Sequence, residues 1–202
     1  KSVPSHIPKC VITESLFSMN GNFSPLKEIE QLCKRFQAFL YVDEIHAVGI
    51  YGSHGQGFCN HVQVYPDILQ AGFGKAFGTM GGYVVSRSEI IDGIRLSSNP
   101  FIFTTSIPPS LAEATISSLE HVQLMDKERQ TQMEHVDYMK SKLITLGFHV
   151  QTDSHIIPIH FSCGIQNVKK LCSIMLERGH YVQPIFYPTV QIHNELVRVT
   201  PT

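Results

Sequence analysis

Tryptophan is absent from the 202 residues, and charged residues make up only 16% of them. The charges nearly cancel, 16 Lys and Arg against 17 Asp and Glu, for a net charge of −1. That balance gives no reason to expect nucleic acid or an anionic membrane as a partner. No apolar run approaches the roughly 20 residues that a membrane span needs, and the N-terminus lacks a secretory-signal pattern. Cysteine is sparse. Cys10, Cys33, Cys59, Cys163 and Cys172 form no Cys-x-x-Cys pair and no disulfide-like framework. This points to a reducing compartment, cytoplasmic in a bacterium or the mitochondrial matrix in a eukaryote. What is present is 43% hydrophobic, the composition of one large globular domain or of one domain plus a small one. Lys1 opens without a methionine and Thr202 follows directly on a strand-like run, so a piece of a longer polypeptide is expected.

Periodicity predicts a strand over Cys10 to Phe17, then a turn at Met19-Asn20-Gly21-Asn22 built from residues that tolerate positive φ. A helix is expected from Pro25 through Phe36, with Leu26, Ile29, Leu32 and Cys33 on one face. Phe39-Leu40-Tyr41-Val42 is a short continuous apolar run, as in a strand buried on both sides of a parallel sheet. A glycine-rich loop, Tyr51 to Gly57, and strands at Asp67 to Ala71 and Gly82 to Val85 follow. This order is that of an α/β fold with crossovers on a parallel sheet. A short helix is predicted from Ser88 to Leu96, then irregular chain through Pro109. A helical pattern from Ser110 to Leu146, stopped by Gly147, is long enough to demand a kink or to span two domains. Strands at Ile156 to Phe161, Tyr181 to Pro184 and Leu196 to Thr200, with a helix at Asn167 to Arg178, suggest a small α+β domain. The expected division is 1–111 for a large parallel-sheet domain and 112–202 for an incomplete C-terminal one.

Asp43 ends the apolar run and so falls at the carboxyl edge of a strand, where open α/β sheets bind ligands. His46, three residues on, can face the same crevice. The pair also reads simply as an Asp capping the next loop with a His packed beside it. Lys75 lies in Gly72-Phe73-Gly74-Lys75-Ala76-Phe77-Gly78, a loop whose glycines let the backbone approach a ligand closely. Phe73, Ala76 and Phe77 are expected to desolvate its amine, as a Schiff-base lysine requires. A phosphate-loop lysine is the other reading, although the Walker pattern Gly-x-x-x-x-Gly-Lys-Ser/Thr is absent. The remaining histidines show no metal-ligand spacing with Cys or Asp.

Taken together, Val42-Asp43-Glu44-Ile45-His46-Ala47-Val48-Gly49, Gly74-Lys75-Ala76-Phe77-Gly78 and Gly81-Gly82-Tyr83 resemble the α-oxoamine synthases among fold-type I pyridoxal 5′-phosphate (PLP) enzymes. Phe101-Ile102-Phe103-Thr104-Thr105-Ser106-Ile107-Pro108-Pro109 and Ser15-Leu16-Phe17-Ser18-Met19-Asn20-Gly21 carry the same resemblance, in the same order along the chain. Ser154-His155-Ile156-Ile157-Pro158-Ile159, Tyr187-Pro188-Thr189-Val190 and Leu196 to Thr202 look like the branch that condenses glycine with succinyl-CoA. That reaction gives 5-aminolevulinate, CoA and carbon dioxide, the first step of haem and tetrapyrrole synthesis. Branches that make 2-amino-3-oxobutyrate or 8-amino-7-oxononanoate, and a non-catalytic scaffold homologue, remain alternatives.

The resemblance implies an aspartate aminotransferase-like α/β fold and a homodimer with a shared active site. Lys75 would carry PLP as a Schiff base and remove the substrate proton. Asp43 would pair with the pyridinium nitrogen, His46 and Ser18 with the phenolic oxygen. Thr104 and Thr105 would reach the phosphate across the dimer interface, and Arg198 would clamp the substrate carboxylate. The chain departs from the family pattern at Gly72, where a phosphate-binding Thr is usual, at Asn20 in place of Asp, and at Gln191-Ile192-His193 in place of Pro-Arg-Gly.

Overall fold

A computed structural model describes residues 4, 6–161 and 164–202. Lys1 and Cys163 lie outside the described residues. The chain divides into two compact units. Unit 1 is Lys1–Leu16 with Ser24–Asp126, and unit 2 is Phe17–Phe23 with Lys127–Thr202. Residues 111 and 112, the division expected from sequence, both fall inside a helix of unit 1.

In unit 1, β1 (Lys9–Glu14), β2 (Ala38–Asp43), β3 (Ile68–Gly72) and β4 (Gly82–Ser86) form one sheet in chain order. The first three strands are parallel, with Glu14 beside Asp43 and Asp43 beside Gln70. The fourth runs antiparallel, pairing Gly72 with Gly82, a departure from the all-parallel expectation. The connection 73–81 contains no helix, and a parallel return requires a crossover of a dozen or more residues. Helix α1 (Leu26–Phe36) connects β1 to β2 and buries Leu26 and Cys33; Gln37 in the left-handed region ends it. The expectation of a β2 buried on both faces holds for one face only. Leu40 and Val42 are buried, whereas Phe39 on the opposite face is 40% exposed.

Two five-residue helices, α2 (Phe58–Val62) and α4 (Asn99–Phe103), escape periodicity analysis because each is barely longer than one turn. Between them in the chain lies α3 (Ser88–Ser97). The long helical pattern resolves into α5 (Pro109–Gln123) and α6 (Asp126–Thr145), broken at Leu124 and Met125, whose N–H groups cap the carbonyls of His121 and Val122 respectively.

Unit 2 holds an antiparallel sheet in the order β5 (Ile157–His160), β7 (Leu196–Val199), β6 (Gln183–Ile185). Val136 of α6 packs on Ile157 and Ile159. Val168 and Cys172 of α7 (Ile165–Glu177) pack on Val197. Ile157 and Ile159 stand opposite Val199 and Val197, so both helices pack on one face of the sheet, and the same register sets Arg198 opposite Pro158 and Gln183. Among the described residues, no helix is long and apolar enough to cross a membrane.

Candidate active site

Asp43 is the last residue of β2, and its carboxylate is held from two directions. Oδ1 accepts the Ile45 N–H at 2.8 Å, and Oδ2 accepts the Gln70 Nε2 at 3.4 Å. A carboxylate offers about four lone-pair sites, so acceptor capacity remains for a cationic ring N–H. The chain then turns tightly, Ala47 and Val48 donating back to the Glu44 carbonyl, and this turn carries His46.

Glu44 braces the turn. It is 1% exposed, and its Oε1 accepts the N–H groups of Phe58 and Cys59 at 3.1 and 3.0 Å. Burial pushes the Glu44 carboxyl above the usual carboxylate range, against the opposing pull of the nearby Ser15 hydroxyl and the Cys59 and Phe58 groups. Burial first, and then this carboxylate, also raise the Tyr83 phenol. Gly57 sits directly over it, at φ +108, where an added Cβ would come within 1.9 Å of Oε2. The sequence reading passed over Glu44. Its signal was a charged residue between two ligand candidates at the end of an apolar strand.

Lys75 leaves the carboxyl end of β3, the strand next to β2, so both groups stand at one edge of the sheet. The loop backbone is well defined. Phe73 donates to Gly81 and Thr79 donates to Phe73, each at 3.0 Å. Helix α5 ties it further, Ser118 Oγ to the Phe77 carbonyl at 2.8 Å and Thr115 Oγ1 to Thr79 Oγ1 at 2.9 Å. The Phe77 side chain is buried with Val48 and Ala71. The expected desolvation of Lys75 is not found in this chain: Phe77 turns into the core and Lys75 itself is exposed.

Gly72 is filled from the side. A Cβ there would lie 2.7 Å from Ile45 Cδ1, so the Ile45 side chain takes the space that a larger residue at 72 would need. Thr104 follows α4 as its C-cap, and both Thr104 and Thr105 are exposed.

Unit 2 carries Ser18 and Arg198. They are 180 positions apart in sequence, and Arg198 Nη1 donates to the Ser18 carbonyl at 3.1 Å. His155 is buried within reach of the Arg198 charge. Burial, then the charges of Lys140 and Arg198, lower its imidazole to about 4, so it is neutral at physiological pH.

A carboxylate, an imidazole and an amine at one sheet edge suit a ligand with a basic ring nitrogen, an acidic oxygen and an electrophilic carbon. A 5-aminolevulinate synthase from Rickettsia bellii is 38% identical over this whole chain, which covers 50% of that protein. The mitochondrial 5-aminolevulinate synthase of Schizosaccharomyces pombe is 37% identical, again over the whole chain and 37% of its own length. The chain thus spans about half the length, or less, of these curated relatives. Among solved structures, a Sphingomonas wittichii serine palmitoyltransferase superposes with a TM-score of 0.90 at 28% identity, over 98% of this chain and 51% of that one. The 8-amino-7-oxononanoate synthase of Francisella tularensis shares the fold, with a TM-score of 0.82 at 24% identity, over 96% of this chain and 57% of that one. The fold is accordingly the fold-type I architecture expected from sequence. The model for class I and II aminotransferases matches residues 1–202, and with Asp43 ending β2 and Lys75 in the loop after the neighbouring β3 the chain belongs to that family.

Proposed function

We propose that this chain is part of a PLP-dependent acyltransferase that condenses glycine with succinyl-CoA to 5-aminolevulinate, CoA and carbon dioxide. The observation that carries the reading is the placement of Asp43 at the carboxyl end of β2 and of Lys75 in the loop that leaves the carboxyl end of the adjacent strand β3. The 5-aminolevulinate synthases at 37–38% identity support the choice of reaction. Pyridoxal phosphate is the cofactor, consistent with the family and with a solved relative described as holding a PLP internal aldimine. Unit 1 is read as the second half of the cofactor-binding domain, and unit 2 as part of the small C-terminal domain.

Bound PLP supplies an electron sink for charge developing at the substrate α-carbon. Asp43 keeps the ring nitrogen protonated. Its own two hydrogen bonds fix the carboxylate in place before the ligand arrives. His46 and Ser18 hydrogen-bond the phenolic oxygen. Lys75, on a pinned loop but with an exposed amine, would hold the cofactor covalently through Nζ and, once the substrate amine has displaced it, would take up the α-proton at the freed Nζ. Arg198 holds the substrate carboxylate, and Thr104 and Thr105 serve the phosphate of a second subunit in a homodimer.

A different amino acid or acyl-CoA within the same chemistry is the second reading. The likeness to serine palmitoyltransferase and the departures at Gly72, Asn20 and Gln191 to His193 favour it. The deciding experiment uses the full-length protein. Added PLP should give a visible absorption band that borohydride abolishes by fixing the cofactor to Lys75. Lys75→Ala should lose the fixation and reduce turnover by at least about 100-fold, the scale of general acid–base contributions. A borohydride-fixed adduct in Lys75→Ala sinks the reading. Glycine, serine and alanine, each with succinyl-CoA and with longer thioesters, then separate the two substrate assignments.

A further inference from the structure

Residues 17–23 lie between β1 and α1, both in unit 1, yet the segment belongs to unit 2. Its own backbone closes on itself. Phe17 donates to Asn22 and Gly21 to Phe17, each at 3.0 Å, and Asn20 Oδ1 accepts the Asn22 N–H at 3.1 Å. Two further ties reach across the sequence. Thr152 Oγ1 donates to the Gly21 carbonyl at 2.9 Å, and Arg198 Nη1 donates to the Ser18 carbonyl at 3.1 Å. Gly21, at φ +69, lies so close to the chain leading into β5 that an added Cβ would come within 2.3 Å of the Ile156 carbonyl and 2.5 Å of Thr152 Oγ1. Only glycine permits both that conformation and that approach. Ile156 and Ile157 behind it are 1% and 0% exposed, so the surface it rests on is a packed core.

We propose that Gly21 and Thr152 are positioning residues that hold Ser18 and Arg198 as one group, coupling substrate-carboxylate binding to the cofactor contact. The inference rests on the reading above, in which Arg198 takes the carboxylate and Ser18 the phenolic oxygen. A guanidinium has five N–H donors. One is committed to Ser18, and a bidentate pair can still be offered to a carboxylate. A carboxylate that draws Arg198 toward itself therefore pulls on the Ser18 carbonyl. The Gly21 seat and the Thr152 hydroxyl keep Ser18 from yielding, so that strain is returned to the guanidinium as alignment. His155, uncharged, leaves the guanidinium as the group beside it that a carboxylate meets.

The test uses full-length protein loaded with PLP, titrated with glycine and in parallel with serine and alanine, while the cofactor absorption band is followed. Thr152→Val should raise the midpoint of the amino-acid-induced spectral change about tenfold and alter the band of the unliganded holoenzyme. Thr152→Ser, which restores the hydroxyl, should return both to wild type. Gly21→Ala should act in the same direction, and the double variant should be no worse than the poorer single one, since both act on one seat. Wild-type midpoints and bands in Thr152→Val and Gly21→Ala, with only a lowered melting temperature, overturn the inference and leave the functional reading intact. Wild-type protein that shows no cofactor band at all overturns both.

Discussion

The turn after β2 and the loop after β3 stand side by side at one sheet edge and are built in opposite ways. The turn encloses a buried carboxylate, Glu44, that gathers two backbone N–H groups from the start of α2. The loop fixes its backbone through Phe77 and α5 but leaves Lys75 exposed, with open space beside Gly78. The contrast matches the two tasks proposed for them. A group that polarises a ring must be set in advance, since reorganisation during reaction costs rate. A nucleophile that forms and releases covalent bonds must reach and move.

Substitution can break that contrast. The largest stability effect should come from Glu44→Ala, which strands the Phe58 and Cys59 amides in the interior and should cost about 2–3 kcal/mol in denaturant unfolding. Glu44→Gln keeps an acceptor and should cost less. It should also remove a pH dependence of definite sign. The folded state raises the Glu44 carboxyl above 4.5, so it binds a proton more tightly than the unfolded chain does. Stability from this group is therefore present at low pH and lost as pH rises from 4.5 through the higher folded value. The unfolding midpoint of Glu44→Gln should be flatter than wild type across that interval. A slope identical to wild type would show that Glu44 is not its source.

Next in size is Gly72→Thr, which drives a side chain into Ile45 and should cost about 1–3 kcal/mol by overpacking. Ile45→Ala in the same protein should recover much of that loss, and Gly72→Thr with Ile45→Ala should bind PLP more tightly than wild type by restoring a hydroxyl near the phosphate. Simple additivity of the two changes in thermal unfolding would show that Ile45 and Gly72 are not a packing pair. The smallest effect belongs to Gly78→Ala. Its added methyl meets nothing within 4 Å, so only the left-handed φ of +64 resists it, at about 1 kcal/mol. Its melting temperature should fall only slightly.

Much of this was legible in the sequence because local signals sufficed. The apolar run ending at Asp43 marked a strand edge, and the glycine-flanked Lys75 marked a loop, with no tertiary information. What escaped depended on contacts between distant positions. The antiparallel course of β4 follows from the shortness of the 73–81 connection, which becomes a constraint only once both strands are paired. Exposure of Lys75 was missed because its apolar neighbours were assumed to surround it, whereas Phe77 packs inward. The partition of residues 17–23 had no local signature at all. Gly21 looked like a turn residue, and its partner Thr152 lies 131 positions away.

That last separation has a consequence for how the molecule comes into being. During synthesis at about 5–20 residues per second, residues 17–23 emerge many seconds before Thr152 and Arg198 exist to receive them. The strands on either side, β1 and β2, can pair earlier, leaving this segment as a waiting hook on a partly formed sheet. Closing a loop of that length carries an entropic cost that is repaid only when the late contacts form. Unit 2 is therefore completed after unit 1, and a chain interrupted before Thr152 would display residues 17–23 without their seat.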